Sequence, residues 1–539
     1  MQRKEENPFY RRWLRQADPD DRRILEAMSD SEAADAFGEP PSFGTGGIRK
    51  AEGPGINRIN PITVRWAAAA TAKALLKKNE AKARGNGVVI TFDTRVHSRV
   101  LAKEAALTVA GFSVPVLLTE EPTPVPFLSF LLKNKDYAGG VMITASHNPA
   151  TDNGFKVYNE NGGQLIPKEA DLIEKHIKKT DPFLLRLMTE EEAVSRGLLR
   201  YGGKEEETAY LSAVCPPAVS HPLTVVATPL HGAAAKLLPA ALKRCGHHLI
   251  EVPKQKEFDG TFPTVKAPNP EDPAVFDLAE KYGREHNAPL LLATDGDGDR
   301  CGCGLWNGTN YRYLTGNEIA SLLISFLLEK QKEDLPADGY IVRTAVSGTT
   351  GEKIAASYGI PAKITPTGFK HIGALANDPA NGTFLCGYEE SGGFLAGNHT
   401  ADKDGIATSL LLAAFAAEQA EKGQTLLDRL TEIENRFGCE YTAVKTFAFP
   451  GKDGETRKIA CMNHISQKKS ETFTVKPFDR TTVFFDFGEK TEAALRPSGT
   501  EPQLKLYYRI GAKTHREATE KRKKIDAFLL PEIEGFLPG

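Results

Sequence analysis

Short apolar segments alternate with helix-forming segments along most of the chain, and this alternation limits the fold more than any other feature. Residues 88–92, 114–118 and 141–143 are apolar runs of strand length, with helix-like segments at about 98–109 and near Phe127 between them. Such alternation is typical of a layered α/β sheet with short connecting loops. We therefore expect ligand-binding side chains where the strands end.

The connecting segments are also partly predictable. Asn60-Pro61 has the composition of a helix start, and an alanine-rich helix is predicted from there to about Lys82. Residues 7–36 are predicted to form a helical arm that packs on the rest of the chain. Charged or proline-rich segments near 181–207 and 253–273 are predicted to be connections.

The same alternation returns twice farther along. Apolar runs at 223–227 and 290–293 are followed by a helix at 317–331 and by further runs at 340–343 and 383–387. The pattern predicts three α/β units of similar build, each ending a strand in a functional loop.

The last part of the chain differs in character. Strand-like runs at 441–449, 481–487 and 504–510 precede a closing helix at 515–529, which indicates a smaller α+β domain with a partly antiparallel sheet. A chain of 539 residues is too long for one core, and about 150 residues per domain gives three to four domains. We predict an α/β protein of four domains, with three similar mixed α/β sheet domains and the smaller C-terminal α+β domain around a central cleft, at 1–205, 206–312, 313–435 and 436–539.

Charge and composition exclude several classes of partner. The formal net charge is -2 and the pI is about 6.7, so nothing favours binding to nucleic acid or to a membrane surface. The N-terminus is charged, which argues against a secretory signal. No apolar run approaches the about 20 residues of a membrane span. The seven cysteines lack the paired spacing of a zinc site. We expect a cytoplasmic protein with reduced thiols.

A polar hexapeptide, Thr144-Ala145-Ser146-His147-Asn148-Pro149, follows the predicted strand 141–143. Ser146 would lie on an exposed loop held by a rigid sheet, where a nucleophile is useful. A lone serine in a polar turn is nevertheless more often a turn hydroxyl.

Three carboxylates alternate with glycines in Asp295-Gly296-Asp297-Gly298-Asp299-Arg300. Glycine permits a tight backbone, so these carboxylates are able to converge on one hard cation such as Mg²⁺. A calcium-sensor loop is disfavoured because its required glycine and glutamate positions are occupied by Arg300 and Trp306. A solvated acidic turn is the simpler alternative.

Two later turns suit a phosphorylated sugar. Arg496-Pro497-Ser498-Gly499-Thr500 offers a guanidinium, two hydroxyls and backbone N–H groups that are able to point inward at a phosphate, and a plain surface turn is the simpler alternative. Glu389 and Ser391, in Gly387-Tyr388-Glu389-Glu390-Ser391-Gly392-Gly393, combine an acceptor with a donor-acceptor group, which suits neighbouring sugar hydroxyls.

These four stretches, taken in their order along the chain, resemble the site loops of the α-D-phosphohexomutase superfamily, which includes phosphoglucomutases and phosphomannomutases. The resemblance extends over nearly the whole chain. It implies a phosphorylated Ser146 and a Mg²⁺ ion held by Ser146, Asp295, Asp297 and Asp299. A phosphoryl oxygen on the serine would complete an octahedral Mg²⁺ shell with water.

The resemblance also assigns roles to other residues. Lys156, in Asn153-Gly154-Phe155-Lys156, is similar to the family's acid/base lysine, with His147 as an alternative, and Arg49 would face the phosphoserine. The residues expected at the sugar are Arg300, Thr367, Gly368, Glu389, Ser391, His399 and Lys403, and those expected at the distal phosphate are Arg496, Ser498, Gly499 and Thr500.

The implied function is a Mg²⁺-dependent mutase that interconverts hexose 1-phosphate and hexose 6-phosphate through a phosphoserine and a sugar 1,6-bisphosphate, which also acts as activator. The motifs look most like the branch with phosphoglucomutases and phosphopentomutases. Glu389-Glu390-Ser391 favours a hexose, and we expect glucose phosphates as the first choice of substrate, mannose phosphates as the second and pentose phosphates as the third. The alternatives are a phosphopentomutase, a serine phosphomonoesterase and a non-catalytic phosphosugar-binding protein. The expected partner is a small phosphosugar, and the expected state a monomer or weak dimer.

Overall fold

Four separate β-sheets organise the chain, which confirms the predicted α/β architecture. The computed structural model describes residues 3–40, 42–43, 47–185, 187–450, 453–498 and 503–537. Among these residues, no helix is both long enough and apolar enough to cross a membrane. We call the four parts of the chain that carry the sheets units I to IV.

Unit I contains α1 (Pro8–Gln16), α2 (Pro19–Ala27), α3 (Asp30–Ala36), β1 (Ile48–Ala51), α4 (Pro61–Lys78), α5 (Glu80–Asn86), β2 (Val88–Phe92), α6 (Ser98–Ala110), β3 (Val116–Thr119), α7 (Val125–Asn134), β4 (Gly139–Ile143), β5 (Asp152–Asn159), α8 (Pro167–Lys178), α9 (Glu190–Ser195) and β6 (Leu199–Gly202). Its strands lie in the order β1-β5-β4-β2-β3-β6. Strands β4, β2, β3 and β6 are parallel, and β5 joins the antiparallel edge.

Unit II contains α10 (Lys204–Val214), β7 (Thr224–Thr228), α11 (Leu237–Arg244), β8 (His248–Glu251), α12 (Asp277–Glu285), β9 (Leu290–Thr294), β10 (Cys301–Trp306) and β11 (Tyr311–Tyr313). Unit III contains α13 (Gly316–Lys330), β12 (Gly339–Thr344), α14 (Thr350–Ala356), β13 (Ala362–Thr365), α15 (Phe369–Ala376), β14 (Thr383–Tyr388), β15 (Phe394–Ala396), α16 (Gly405–Glu421) and α17 (Leu426–Phe437). Both sheets repeat the plan of unit I, with parallel strands and an antiparallel edge.

Unit IV contains β16 (Cys439–Ala448), α18 (Gly454–Ser466), β17 (Thr474–Pro477), β18 (Val483–Asp486), β19 (Thr491–Pro497), β20 (Gln503–Ala512) and α19 (His515–Glu534). Its sheet, in the order β16-β20-β19-β18-β17, is built from antiparallel pairs. The second sheet ends at Tyr313, one residue past the predicted boundary at 312, and the domain boundaries stay predictions.

Several local predictions differ from the structure. The helix that begins at Asn60-Pro61 ends at Lys78, because Asn79 adopts an extended backbone and caps the next helix, α5. The segment 181–207, predicted as a connection, contributes α9 and the edge strand β6. The helical arm consists of three short helices, α1 to α3, each with its own side-chain cap.

The buried side chains explain how the units are held together. One hydrophobic cluster runs from Val89 and Phe127 in unit I through Leu290 in unit II to Ile341 in unit III. Unit IV has its own cluster, and a small apolar contact that includes Val346 joins it to unit III. Units I to III therefore share a continuous core, whereas unit IV packs around its own.

Candidate active site

The predicted site motifs occupy the same place in each sheet. Ser146 lies between β4 and β5, the aspartates lie between β9 and β10, and Glu389 lies between β14 and β15. In all three units this is the turn from the last parallel strand to its antiparallel neighbour. Arg496 stands near the end of β19, which pairs with β20 in unit IV. The sheet plan that units I to III share thus directs three of the motifs towards one region, and strand β19 of unit IV brings the fourth to the same cleft.

Ser146 has an unusual backbone and little access to solvent. Its φ is +55°, in the left-handed region that a residue with a Cβ rarely adopts. The Ser146 N–H donates to Thr144 Oγ1 at 2.8 Å, and the residue is 1% exposed. The expectation of an exposed loop is wrong, because a Cβ at Gly296 of the aspartate loop would come within 2.6 Å of the Ser146 carbonyl oxygen.

The aspartate loop and the serine converge as predicted from their positions at strand ends. Ligand oxygens of Asp295, Asp297 and Asp299 lie within 4.8 Å of one another, and all three residues are buried. Ser146 Oγ donates a hydrogen bond to Asp295 Oδ2 at 2.9 Å. A serine hydroxyl and three carboxylates from two sheets therefore meet in one buried cluster.

Three different units fix the backbone of the aspartate loop. The carbonyl of Asp297 accepts from Val125 N of unit I at 2.9 Å. The carbonyl of Gly296 accepts from Ala233 N of unit II at 2.9 Å, and that of Gly298 accepts from Gly405 N of unit III at 3.2 Å. The loop is thereby held where units I, II and III meet.

Two lysines face the three carboxylates. Lys156 Nζ lies 2.6 Å from Asp297 Oδ2, and Lys403 Nζ lies 2.8 Å from Asp299 Oδ2. Burial alone would raise the pKa of Asp297, but the contact with Lys156 lowers it below the ordinary value. Burial, with the charges of Asp299 and Asp297 added, raises the pKa of Asp295.

The oxygen atoms of this cluster are suitable ligands for a hard divalent cation. Within the described parts of the chain, Asp297 Oδ1 and Asp299 Oδ1 are buried and accept no hydrogen bond. Buried carboxylate oxygens without a donor are costly unless a cation neutralises them. Closely spaced oxygen ligands are those that Mg²⁺ prefers, so these residues suit it.

A cleft of about 740 Å³ opens beside this cluster, and all four units line it. Its wall includes most of the predicted substrate and phosphate residues. The structure brings these together in the cleft wall: Arg49, His147, Arg300, Thr367, Gly368, Glu389, Ser391, Lys403, Arg496 and Ser498. Gly499 and Thr500 lie outside the described residues.

His399 lies elsewhere. Its Nε2 is 2.8 Å from Asp404 Oδ2, and Tyr210 also donates to Asp404. The carbonyl of His399 faces Asn134 of unit I at 3.4 Å. His399 therefore belongs to a contact between units, while Lys403, four residues later, reaches the carboxylates.

Glu389 supplies a buried carboxyl group to the cleft. Its Oε1 accepts from Gly368 N at 3.0 Å, so the two predicted sugar-reading turns are in contact. Burial raises the pKa of Glu389 to about 7, against the opposing charge of Lys403. Glu389 thus exchanges its proton close to neutral pH.

Cations dominate the rest of the cleft. Burial, together with the charges of Arg300 and Arg49, lowers the pKa of His147 well below its ordinary value, so its imidazole is neutral at pH 7. His147 Nδ1 lies 3.3 Å from Ser146 Oγ. The cations that line the cleft are Arg49, Arg300, Lys403, Arg496 and Lys505. An anionic ligand would relieve this concentration of positive charge.

Sequence comparisons agree with this geometry. Residues 40–183, 209–308 and 315–435 match the models for domains I, II and III described as "Phosphoglucomutase/phosphomannomutase, alpha/beta/alpha domain". The chain belongs to the phosphoglucomutase/phosphomannomutase family. The resemblance to the α-D-phosphohexomutase superfamily is therefore confirmed, and the protein is an isomerase of the phosphohexomutase type.

Individual members of the family cover almost the full length. A phosphoglucomutase of Staphylococcus saprophyticus is 31% identical over 535 residues, covering 92% of this chain and 95% of the relative. A human phosphopentomutase is 30% identical, covering 95% of this chain and 92% of the relative. A crystal structure of a putative phosphomannomutase from Thermus thermophilus, 24% identical, shares the fold with a TM-score of 0.69 over 91% of this chain and 99% of its own.

Sequence reasoning missed a second cation of unit IV. Lys505 lines the cleft and pairs with Arg496 across β19 and β20. Its neighbours Leu504 and Leu506 are buried, so Lys505 points to the opposite face of the strand. The alternation Leu504-Lys505-Leu506 in the predicted strand 504–510 is the signal that identifies it.

Sequence reasoning also missed Asp93 and Arg95 of this phosphohexomutase. They follow directly on the predicted strand 88–92, as the serine motif follows 141–143, and both are buried. Polar residues directly after a predicted strand were the reason for selecting Ser146, and the same reasoning selects Asp93-Thr94-Arg95. Arg95 contacts the serine loop.

Proposed function

We propose that the enzyme is a Mg²⁺-dependent phosphosugar mutase that interconverts hexose 1-phosphate and hexose 6-phosphate. In this proposal, glucose is the preferred sugar and mannose the second. The phosphoryl group passes through Ser146, and a sugar 1,6-bisphosphate is both intermediate and activator. The observation that carries the proposal is the hydrogen bond from Ser146 Oγ to Asp295 Oδ2, beside a cleft lined by four units.

The reaction needs a phosphoryl acceptor and a route for one proton. A hydroxyl oxygen of the sugar monophosphate attacks the phosphorus on Ser146, a new P–O bond forms to the sugar, and the bond to Ser146 Oγ breaks. The sugar hydroxyl loses its proton to an acid/base side chain, and Lys156, whose Nζ lies 2.6 Å from Asp297 Oδ2, is the residue assigned to this role. The second half-reaction reverses these steps from the other sugar oxygen and returns the proton.

Asp295, Asp297 and Asp299, with an oxygen on Ser146, would hold the Mg²⁺ ion. When bound, the ion supplies positive charge that stabilises the transferring phosphoryl group. Arg49 and Arg300 line the cleft beside this cluster and are assigned to the remaining phosphoryl oxygens; Arg300 Nη1 also pairs with Glu271 at 3.2 Å.

The cleft accommodates the sugar in two orientations. Glu389 and Ser391 offer an acceptor and a hydroxyl to the ring. Arg496 and Lys505 offer a paired cationic surface to the phosphate that is not transferred. The bisphosphate turns over between the two half-reactions, so the contacts that hold it must accept either phosphate.

The substrate is tested by comparing kcat/KM for glucose, mannose and ribose 1-phosphates with the bisphosphate activator present. Highest efficiency with the pentose would replace the hexose assignment by a phosphopentomutase. Release of inorganic phosphate in place of isomer conversion would indicate a phosphomonoesterase instead. The Ser146→Ala variant is expected to lose turnover entirely, and near-wild-type conversion would exclude the mechanism.

A cytoplasmic location and a monomeric or weakly dimeric state are part of the same proposal. Sedimentation velocity of the purified enzyme over a range of concentrations tests the oligomeric state.

A further inference from the structure

Arg95 is buried inside unit I and uses every donor that its guanidinium offers. The side chain is fully shielded from solvent, as is that of its partner Asp93. Nε donates to Asp93 Oδ2 at 3.0 Å. Nη1 and Nη2 donate to four backbone carbonyls, those of Pro149 at 2.6 Å, Asp152 at 2.7 Å, Ser146 at 2.9 Å and Asn148 at 2.8 Å.

The four carbonyls all belong to the serine loop and its exit into β5. Buried carbonyls need donors, and a loop between strands has no ladder to supply them. One planar guanidinium satisfies four of them at once, which fixes their relative orientation as separate donors would not. The conformation of the loop from Ser146 to Asp152 is therefore built around Arg95.

Asp93 and Arg95 also hold both peptide groups that flank Ser146. On one side, Ser146 N–H donates to Thr144 Oγ1, whose hydroxyl donates to Asp93 Oδ2 at 2.7 Å. On the other side, the Ser146 carbonyl accepts from Arg95 Nη2. These contacts act on the left-handed backbone at Ser146, a conformation that persists only when its surroundings enforce it.

Unit II covers the opposite side of Arg95. The guanidinium lies 5.3 Å from the ring centre of Phe262, and a Cβ at Gly260 would come within 2.4 Å of Arg95 Cα. Unit II also carries Asp295, the acceptor for Ser146 Oγ. Arg95 thus lies between the serine loop and the unit against which that loop is positioned.

We propose that Arg95 is a positioning residue for phosphoryl transfer, which holds the loop from Ser146 to Asp152 so that Ser146 Oγ faces Asp295. This inference rests on the proposed function of Ser146 as the phosphoryl carrier. Arg95 contacts the loop backbone and Asp93, so its loss alters the transfer step and leaves sugar binding largely intact.

A simpler role would be to neutralise the buried Asp93. The Arg95→Lys variant separates the two roles, because lysine keeps the positive charge but lacks the fork that reaches four carbonyls. If neutralisation is the only role, Arg95→Lys keeps wild-type activity. If the carbonyls matter, the serine is misplaced and kcat falls.

The experiment compares Arg95→Lys with Arg99→Lys, an exposed arginine on α6, in the full-length enzyme. For Arg95→Lys, we expect kcat to fall about 100-fold, since misplacement of a reacting group by about 1 Å has costs of this size. The KM for glucose 1-phosphate should stay within about threefold, and phosphorylation of Ser146 by glucose 1,6-bisphosphate should slow by the same factor as kcat. Amide hydrogen exchange should increase in the peptide that contains 144–152, and Arg99→Lys should match the wild type.

A kcat for Arg95→Lys within about threefold of the wild type, or a change confined to KM, overturns the inference. If Arg95→Lys fails to fold by thermal melting, Thr144→Val decides, because it removes the hydroxyl that links Ser146 N–H to Asp93, the partner of Arg95. A Mg²⁺ titration of the activity of this variant separates that loss from the loss of the 3.3 Å contact between Thr144 Oγ1 and Asp297 Oδ2. An unchanged kcat for Thr144→Val also overturns the inference.

Turnover by Ser146→Ala would instead refute the proposed function, whereas an inactive Ser146→Ala with a fully active Arg95→Lys refutes only the role of Arg95.

Discussion

The ammonium group of Lys156 lies 2.6 Å from Asp297 Oδ2 and 3.6 Å from Asp299 Oδ2, and all three side chains are buried. The lysine therefore serves as a counter-charge for the carboxylates as well as a candidate proton carrier. Both roles lead to a prediction about the enzyme with and without metal.

The Lys156→Met variant should lose turnover and become less stable when metal is removed. Removal of one partner leaves buried carboxylates uncompensated, which typically costs about 3–5 kcal/mol. Saturating Mg²⁺ should then raise the Tm of the variant more than that of the wild type, because the ion replaces the missing charge. Differential scanning calorimetry in chelator and in Mg²⁺ measures both shifts.

The control is Lys168→Met, which alters an exposed lysine on α8. Its Tm should respond to Mg²⁺ as the wild type does. An equal Mg²⁺-induced shift in Lys156→Met and wild type would contradict the charge-compensation argument.

The convergence of Ser146 with Asp295 was predictable because both follow strands in sheets of the same plan. The contact of Lys156 with Asp297 was not, since β5 lacks the alternating pattern of a half-buried strand. Its residues from Asn153 to Tyr158 are all buried, so polar side chains there report tertiary contacts that no local pattern encodes. The burial of Ser146 likewise depends on a loop from another unit.

His399 shows why sequence alone does not assign a single polar residue to the cleft. Its neighbours Asp402, Lys403 and Asp404 are all buried, and the sequence does not tell which of them turns towards the cleft. The structure directs Lys403 to the carboxylates and Asp404 to Tyr210. That choice is made by packing of α10 and α16, two helices about 200 positions apart, and helix periodicity carries no information about it.

Glu389 should make substrate binding depend on pH. Because burial raises the pKa of Glu389 to about 7, its ionised fraction rises from about one tenth at about pH 6 to about nine tenths at about pH 8. Only the ionised carboxylate offers all its oxygen lone pairs to sugar hydroxyls, so KM for the hexose phosphate should fall as pH rises through this range.

The matched variant is Glu389→Gln, which keeps the shape and cannot ionise. Its KM should be higher than that of the wild type at about pH 8, and the ratio of the two KM values should approach one near about pH 6. Taking the ratio cancels the titration of the substrate phosphate. A ratio that is independent of pH would refute the assigned role of this titration.

Glu440 should control how firmly unit IV closes on the cleft. Its carboxylate, near the start of β16, accepts from the backbone N–H of Thr349 at 2.7 Å and of Thr350 at 3.2 Å, at the beginning of α14 in unit III. Arg509 of unit IV donates to the carbonyl of Ser347 in the same loop at 3.0 Å. These contacts complement the small apolar cluster between the two units.

The Glu440→Ala variant should raise KM for hexose phosphate about tenfold, because charged hydrogen bonds contribute about 1.5–3 kcal/mol each and Arg496 is carried on unit IV. Small-angle scattering should show a larger radius of gyration. Glu333→Ala, at an exposed position beyond α13, is the control. An unchanged scattering profile together with an unchanged KM would exclude this role of Glu440.

Lys505 should act with Arg496 on the phosphate that is not transferred. The two residues pair across neighbouring strands and both line the cleft, so their charges are concentrated where a dianion would bind. The Lys505→Met variant should raise KM for glucose 1-phosphate about tenfold while kcat changes less, because the contact is made in the ground state and the transition state alike. The dependence of KM on ionic strength should also weaken, since one screened charge interaction has been removed.

Lys513→Met alters an exposed lysine just after β20 and should leave both quantities at the wild-type level. If the two variants show the same KM and the same salt dependence, Lys505 does not bind the phosphate, and Arg496 must hold it without that charge.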